Sequence, residues 1–83
     1  MNGCQIDMRD SFERDLRKLD ETTKKRIQET LERLKEDPYL GKPLKGRLKG
    51  LRRCRVGKYR VLYYPQPCRV ILIKVRPRDS VYI

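Results

Sequence analysis

The feature that most constrains the fold is a stretch of alternating apolar and polar residues at 51–75, broken by Gly57-Lys58 and by the turn residues at 65–67. Side chains two apart lie on the same face of a strand, so this alternation is typical of a sheet with one buried face. A glycine-first pair between two such runs is typical of a two-residue β-hairpin turn. The pattern therefore predicts a three-stranded antiparallel meander, with strands at 51–56, 59–64 and 68–75.

The register of this meander follows from the need to keep charged side chains out of the core. Across the first turn Arg55 lies opposite Arg60, and a three-residue second turn with Tyr64 opposite Cys68 sorts the remaining side chains. One face is then predicted to hold Cys54, Val56, Tyr59, Val61, Tyr63, Ile71, Ile73 and Val75. The other face is predicted to hold Arg53, Arg55, Arg60, Leu62, Tyr64, Val70, Leu72, Lys74 and Arg76. Arg52 falls on the apolar face, and the sequence offers no reason for it.

The first half of the chain supplies the layer that covers the apolar face. A short strand is predicted over 4–9, followed by a helix that begins at Asp10 or Ser11. A second helix is predicted over 22–35 and ends before Pro38. The apolar stripes of the two helices, each at i, i+4 and i+7, are Phe12, Leu16, Leu19 and Ile27, Leu31, Leu34. We therefore predict one α+β domain over 1–83, with an N-terminal strand and a two-helix hairpin packed on one face of an antiparallel sheet that ends in the three-stranded meander.

A basic loop punctuated by glycine and proline separates the helices from the meander. Residues 37–50, DPYLGKPLKGRLKG, contain four cations, and the glycines are too widely spaced for a phosphate-binding P-loop. The cations are Lys42, Lys45, Arg47 and Lys49. We expect an ordered loop lying along the helices.

Charge is strongly segregated along the chain. Residues 1–37 hold 9 Lys/Arg and 10 Asp/Glu, whereas residues 38–83 hold 13 Lys/Arg and one acid, Asp79. Segregated like charge opposes compaction through self-repulsion, so this half of the chain indicates a site for a polyanion. Nucleic acid is the favoured interpretation, and an acidic protein or a merely solubilising basic surface are the alternatives.

The composition of the chain excludes several classes of function. The chain has no His, which excludes histidine-based nucleophile systems and histidine metal sites. No apolar run approaches the ~20 residues that span a bilayer, and the N-terminus lacks the layout of a signal peptide. Cys4, Cys54 and Cys68 are odd in number and lack C-x-x-C spacing, so we expect reduced thiols in a cytosol, with no disulfide and no zinc. Cys54 is predicted to be buried in the sheet, too far from the other two to form a bridge.

The predicted opposition of Arg55 and Arg60 is unfavourable for folding. Like charges directly opposite each other on a sheet cost roughly 0.2–1 kcal/mol. The same face is predicted to hold Arg53, Lys74 and Arg76. Guanidinium groups bind phosphate oxygens through paired hydrogen bonds, and Tyr64 and Tyr82 beside them suit stacking on unpaired bases. This face is therefore the candidate site for binding RNA.

These residues resemble the RelE/ParE toxin superfamily, and in particular its RelE-like branch. The matching segments are F-E-R-D-L-R-K-L at 12–19, E-D-P at 36–38, K-P-L-K-G-x-L-K-G-L at 42–51, R-V-G-K-Y-R-V-L-Y at 55–63 and R-P-R-D-S-V-Y at 76–82. The resemblance covers nearly the whole chain, and the stretch at 57–60 is its most specific part.

The resemblance implies a cytoplasmic toxin of a type II toxin-antitoxin system, held inactive by an acidic, RelB-like antitoxin. For the RelE branch it implies an endoribonuclease that needs the ribosome but no metal or other cofactor, and that inhibits translation by cleaving messenger RNA in the A site. In that reaction the 2′-hydroxyl attacks the adjacent phosphate and leaves a cyclic phosphate. No membrane and no small-molecule substrate are implied.

The family's catalytic positions fall on residues of the meander and the C-terminal segment. They are Arg53, Arg55, Arg60, Arg76 and Tyr82. The cations expected to contact RNA or the ribosome are Lys42, Lys45, Arg47, Lys49, Lys58, Lys74 and Arg78.

The general base stays open, because the chain departs from the family pattern. Two basic positions that are often lysine in active members are Arg53 and Arg55 here, and arginine is too basic to accept a proton. Tyr82 and a loop lysine such as Lys49 remain as candidates. Two other functions stay open as well: a ParE-like poison of DNA gyrase, and a catalytically inactive module that only binds its antitoxin.

Overall fold

The computed structural model describes residues 3–77. Its elements in chain order are β1 (Gln5–Met8), α1 (Asp10–Arg17), α2 (Glu21–Glu36), β2 (Lys42–Pro43), a 3-10 turn (Gly46–Leu48), β3 (Arg52–Val56), β4 (Tyr59–Gln66) and β5 (Arg69–Pro77). The strands form one five-stranded sheet in the order β1-β5-β4-β3-β2, with the two helices packed on one face. The predicted α+β class is confirmed. The sheet is mixed rather than wholly antiparallel, because β1 pairs in parallel with β5.

The helices follow their apolar stripes. At the start of α2 the Asp20 carboxylate accepts a hydrogen bond from the Thr23 N–H at 2.9 Å. Hydrogen bonds from the side chain and the backbone of Thr23 lower the pKa of Asp20. Phe12 of α1 is buried, as are the α2 residues Ile27, Leu31 and Leu34. Neither helix is long and apolar enough to cross a membrane, within the part of the chain described here.

Two side chains of α1 complete the outer edge of β5. The pairing of β1 with β5 ends at Leu72, and beyond it side chains of α1 form hydrogen bonds with the backbone of β5. Ser11 Oγ donates to the Ile73 carbonyl at 2.6 Å, and Asp15 Oδ2 accepts from the Val75 N–H at 3.0 Å. These bonds satisfy backbone groups that would otherwise need a further strand.

The hairpin of β3 and β4 has the predicted register. Arg55 lies opposite Arg60, and Cys54 lies opposite Val61. Gly57 in the turn has a φ of 59°, a left-handed conformation that glycine adopts without steric cost. The helix-facing side holds the buried side chains of Cys54, Val56, Val61 and Tyr63, as predicted.

The pairing of β4 with β5 differs from the prediction. Gln66 lies opposite Arg69, so the turn has two residues rather than three. A β-bulge between Leu62 and Tyr63 then shifts the pairing by one position, at the level of Ile73. A one-residue shift exchanges the two faces of a strand on one side of the bulge.

The bulge reverses the predicted faces of the first half of β5. Val70 and Leu72 are fully buried in the core, whereas Ile71 and Ile73, which were predicted for the core face, are only half-buried. The prediction was wrong here because residues 70–73 are four consecutive apolar residues. Because apolar and polar residues do not alternate in such a run, the sequence does not show which of its residues face the core.

The basic loop borders the sheet rather than the helices, which corrects the prediction for residues 37–50. β2 pairs antiparallel with β3, with Lys42 opposite Arg53. Arg52 holds this connection in place, because its Nη1 donates to the carbonyls of Tyr39 at 3.0 Å and Gly41 at 2.6 Å. The arginine that the sequence left unexplained therefore anchors the segment between α2 and β2.

Cys4 and Cys68 form a disulfide, with their Cα atoms 4.7 Å apart. The expectation of three reduced thiols was wrong. The cause is the parallel pairing of β1 with β5, which sets Gln5 opposite Arg69 and so brings the residues before them together. Cys54 is a free, buried thiol, as predicted.

Candidate nucleic-acid interface

Three arginines form a row across the sheet. Arg55 of β3, Arg60 of β4 and Arg76 of β5 are successive cross-strand neighbours, with Arg60 in the middle. Directly opposed side chains on neighbouring strands have Cβ atoms about 4.5–5.5 Å apart. The row therefore concentrates three guanidinium groups where a sheet built only for stability would alternate charges.

A second row lies two residues along each strand, on the same face. It runs from Lys42 of β2 through Arg53 of β3 and Leu62 of β4 to Lys74 of β5. Together the two rows define the basic face. Its six cations are Lys42, Arg53, Arg55, Arg60, Lys74 and Arg76.

Leu62 is the apolar centre of the basic face. It is only 2% exposed although it points away from the helices, and its cross-strand neighbours are Arg53 and Lys74. Long basic side chains cover apolar surface with their methylene stems and keep their charged ends in water. Leu62 thus provides an apolar surface against which the methylene stems of the neighbouring cations can pack.

A cavity of about 410 Å³ opens beside the basic face, between α2 and the edge of β3. Five cations contribute to its lining: Arg33, Lys42, Arg53, Arg55 and Arg60. β2 pairs with only two residues of β3, so this edge is left open past Arg53. The cavity suits an anionic group that approaches the arginine row from the side of the sheet.

Arg33 was missed by the sequence reasoning. The sequence predicts α2 only as an amphipathic helix whose apolar stripe packs in the core, and it predicts no role for Arg33. The available signal was position: Arg33 directly precedes the buried Leu34 and lies three residues after the buried Thr30. A cation at the border of an apolar stripe points along the sheet rather than away from it.

Two protonated groups lie at or next to this cavity: Cys54, which lines it, and Tyr63, which is hydrogen-bonded to the lining residue Gly41. Tyr63 is fully buried, its hydroxyl oxygen accepts the Gly41 N–H at 2.8 Å, and burial raises its pKa to about 12. Burial also raises the pKa of the Cys54 thiol. Both groups hold their protons at neutral pH, so neither is suited to act as a general base.

The other predicted contacts lie apart from the two rows. Lys45, Arg47 and Lys49 lie in or beside the 3-10 turn between β2 and β3 and are exposed. Lys58 is at the tip of the β3–β4 hairpin, with its Nζ 6.0 Å from the centre of the Tyr59 ring. Tyr82 and Arg78 lie outside the described residues. The structure thus brings together Arg53, Arg55, Arg60 and Arg76 of the predicted catalytic set, with Lys42 and Lys74 of the predicted contact set.

Solved structures with this fold are found in complexes of toxins with antitoxins. A chain of the RelBE2 toxin-antitoxin complex from Mycobacterium tuberculosis is 29% identical, with a TM-score of 0.83 over 92% of this chain and 99% of that one. The RelBE toxin-antitoxin complex of E. coli matches at 20% identity and a TM-score of 0.79, over 93% and 99% of the two chains. The RelE-RelB complex of Pyrococcus horikoshii matches at 22% and 0.76, over 95% and 99%. The last two likenesses concern the fold alone.

A family model described as the ParE toxin of the type II toxin-antitoxin system parDE matches residues 6–82. A search of curated protein sequences found no match. The fold, the basic face and the family match together define the class: the chain is a toxin of a type II toxin-antitoxin system. It belongs to the ParE toxin family, within the RelE/ParE superfamily, which confirms the resemblance drawn from the sequence.

Proposed function

We propose that this toxin is a ribosome-dependent endoribonuclease, which cleaves messenger RNA in the A site and so inhibits translation in the cytoplasm. The observation that carries the proposal is the row of Arg55, Arg60 and Arg76, directly opposed across three strands. Each opposition of like charges costs roughly 0.2–1 kcal/mol of stability. Such an arrangement makes sense where a polyanion offsets the repulsion.

The chemistry that this row supports is stabilisation of a phosphate in transfer. When the 2′-hydroxyl attacks the adjacent phosphate, negative charge builds up on the non-bridging oxygens. Guanidinium groups that are already in place stabilise this charge without reorganisation, and removing one such donor from an enzyme typically lowers the rate 10²–10³-fold. In this proposal Arg60, in the centre of the row, binds the scissile phosphate, and Arg55 and Arg76 flank it.

The proton acceptor in this proposal is neither Cys54 nor Tyr63. Arginine stays protonated, and the raised pKa values of Cys54 and Tyr63 keep these groups protonated as well. The candidates are the tyrosine at position 82 and an exposed lysine of the loop, of which Lys49 is one. No metal is invoked, since the arginine row provides the positive charge.

The proposed partners are the ribosome with its messenger RNA, and an acidic antitoxin. Residues 38–77 carry twelve Lys/Arg and no Asp/Glu, so an acidic segment has strong charge complementarity to this half. The chains of similar fold come from complexes in which a toxin is bound to its antitoxin. In this proposal an antitoxin neutralises the toxin by covering the basic face.

A second candidate function is poisoning of DNA gyrase. The observation that favours it is the matching family model, which describes a ParE toxin. A gyrase poison needs no set of residues for RNA cleavage, so it leaves the opposed arginines without a role. We therefore place it after the nuclease.

A translation extract distinguishes these functions. Purified toxin is added, and the 5′ ends of messenger RNA fragments are mapped, with gyrase supercoiling assayed in parallel. We expect cuts in register with codons, lost in Arg60→Ala and retained in Arg14→Ala, which removes an exposed arginine from α1 on the other side of the sheet. Loss of supercoiling without RNA cuts would establish the second candidate, and antitoxin binding with neither activity would establish an inactive module.

A further inference from the structure

A second cavity, of about 290 Å³, lies at the end of the sheet away from the Gly57-Lys58 turn. Its lining includes two tyrosines from distant parts of the chain, Tyr39 after α2 and Tyr64 on β4. Both residues are exposed, at 47% and 41%. The prolines Pro43 and Pro65 contribute further flat apolar surface. We refer to this cavity as the tyrosine cleft.

The Tyr39 side of the cleft is held in place by Arg52. The guanidinium carbon of Arg52 lies 5.2 Å from the centre of the Tyr39 ring, and its Nη1 donates to the Tyr39 carbonyl at 3.0 Å. The Tyr39 N–H in turn donates to Asp37 Oδ1 at 3.1 Å. A ring fixed by a cation and by its own backbone loses little conformational freedom on binding a ligand.

On the Tyr64 side of the cleft, the Tyr64 ring lies next to the backbone of Gly50. A Cβ added at position 50 would lie 3.4 Å from Cε1 of Tyr64, in van der Waals contact with the ring. Gly50 also has a φ of 98°, which a side chain would oppose. The backbone at Gly50 therefore lies against the edge of the Tyr64 ring and leaves part of that ring open to solvent.

The Tyr64 side of the cleft lies on the same side of the sheet as the basic face. Tyr64 and Arg60 are four residues apart on β4 and lie on the same face, which separates them by about 13 Å along the strand. Leu62, with its basic neighbours, lies between them. No carboxylate lines the cleft, and the charged residue in its lining is Arg52. A strand of RNA extending from Arg60 along β4 would keep its phosphates over cations and reach the cleft with an unpaired base.

We propose that the tyrosine cleft is a stacking subsite for one unpaired base of the RNA, a short distance along the strand from the phosphate bound at Arg60. Aromatic rings stack on bases of any sequence, which suits an enzyme that acts on many messages. The proposal rests on the proposed function, because it needs RNA on the basic face. It assigns Tyr39 and Tyr64 to positioning of the strand and not to proton transfer.

Binding of a short single-stranded RNA to the free toxin tests this assignment. The RNA carries 2′-O-methyl groups, so that it cannot be cleaved, and each nucleotide in turn is replaced by an abasic one that keeps the phosphate. We expect one position at which the loss of the base weakens binding roughly 5- to 150-fold, the range that stacking of one base provides. In Tyr64→Ala and in Tyr39→Ala this difference should disappear at that position alone, whereas Tyr64→Phe should retain it.

Met8→Ala is the matched control, because Met8 is exposed to the same extent as Tyr64, 41%, but lies on β1 at the opposite edge of the sheet and lines neither cavity. Thermal midpoints of all variants exclude loss of folding as the cause. If the tyrosine variants weaken binding equally at every position, or lose only binding to an acidic antitoxin, the stacking subsite is refuted.

Cleavage on programmed ribosomes separates this proposal from the function on which it rests. A wild-type toxin that cleaves messenger RNA, yet shows no position at which the base matters, would refute the subsite and leave the nuclease standing. A wild-type toxin that does not cleave, but still distinguishes base from abasic at one position in a Tyr64-dependent way, would refute the nuclease and leave the subsite standing.

Discussion

Arg55 on β3 lies directly opposite Arg60 on β4, so two guanidinium groups share one cross-strand position on the basic face. Arg76 on β5 adds a third on the far side of Arg60. This arrangement opposes folding and favours the binding of phosphate. The predictions for these residues therefore have opposite signs for stability and for function.

Removing the charge of Arg55 should raise stability slightly. Arg55→Gln keeps most of the side-chain length and relieves one opposition, which should contribute about 0.2–1 kcal/mol to the free energy of unfolding. Urea denaturation at low salt measures the gain, and the gain should shrink at high salt because the repulsion is screened. A loss of stability would mean that Arg55 has a structural role.

Replacing Arg60 should remove activity while the fold stays intact. We expect Arg60→Ala to cleave messenger RNA on programmed ribosomes roughly 10²–10³-fold more slowly in single-turnover experiments, the effect of losing one preformed donor to a developing oxyanion. Far-UV circular dichroism should be unchanged. An Arg60→Ala toxin of full activity would remove Arg60 from the catalytic assignment.

The buried hydroxyl of Tyr63 should make stability depend on alkaline pH. Its pKa is raised to about 12 in the folded chain from a reference value of 10.0, mainly by burial. A raised pKa means that the unfolded chain loses this proton first, so the contribution is complete below pH 10 and is lost as the pH rises towards 12. The stability difference between wild type and Tyr63→Phe should therefore shrink over that range. A constant difference would place the hydroxyl in contact with water.

Gly41 should tolerate no side chain. A Cβ at this position would overlap the Arg53 carbonyl and lie 2.8 Å from the Tyr63 hydroxyl. Because one of these atoms is backbone, relief requires movement of β3, and we expect Gly41→Ala to cost about 1–3 kcal/mol. Gly46→Ala is the control, since a Cβ there meets no atom within 4 Å and is opposed only by its φ of 66°. Equal costs at the two positions would show that the close approach at Gly41 is not limiting.

The link between Cys4 and Cys68 should stabilise the oxidised toxin. It closes a loop with a sequence separation of 64, for which restriction of the unfolded chain predicts about 4 kcal/mol. Dithiothreitol should therefore lower the thermal midpoint of the wild type. It should have no effect on a Cys4→Ser, Cys68→Ser variant, whose midpoint should equal that of the reduced wild type. A midpoint insensitive to reduction would contradict this role.

Interactions that are local in the sequence were predictable from it. α2 and its buried Ile27, Leu31 and Leu34 follow from the apolar spacing, and the end of the helix follows from Pro38. The opposition of Arg55 and Arg60 follows because a two-residue turn at Gly57-Lys58 allows one register that keeps arginine out of the core. Both depend on residues close together in the chain, where geometry leaves few alternatives.

The candidate site was predictable in part. The sequence pointed to the arginines of the meander and to Tyr64, but it missed Arg33, Tyr39 and the cleft that Tyr39 forms with Tyr64. Those residues come together only when the segment after α2 is fastened beside β3 by Arg52. The two hydrogen bonds from Arg52 to backbone carbonyls cannot be predicted from a hydropathy pattern.

Two features of the fold depend on tertiary contacts: which residues of β5 face the core, and which distant segments pair. In the apolar run 70–73 either set of alternate residues could face the core, and the bulge at Ile73 settles the choice by burying Val70 and Leu72 while Lys74 and Arg76 stay on the basic face. The parallel pairing of β1 with β5, and with it the contact of Cys4 with Cys68, joins residues far apart in the chain. The helices, the first hairpin and the segregation of charge can be predicted from the amino-acid sequence, because periodicity and turn chemistry act over a few residues. Contacts between distant segments are selected by the total burial of the folded chain, which no short stretch of sequence contains.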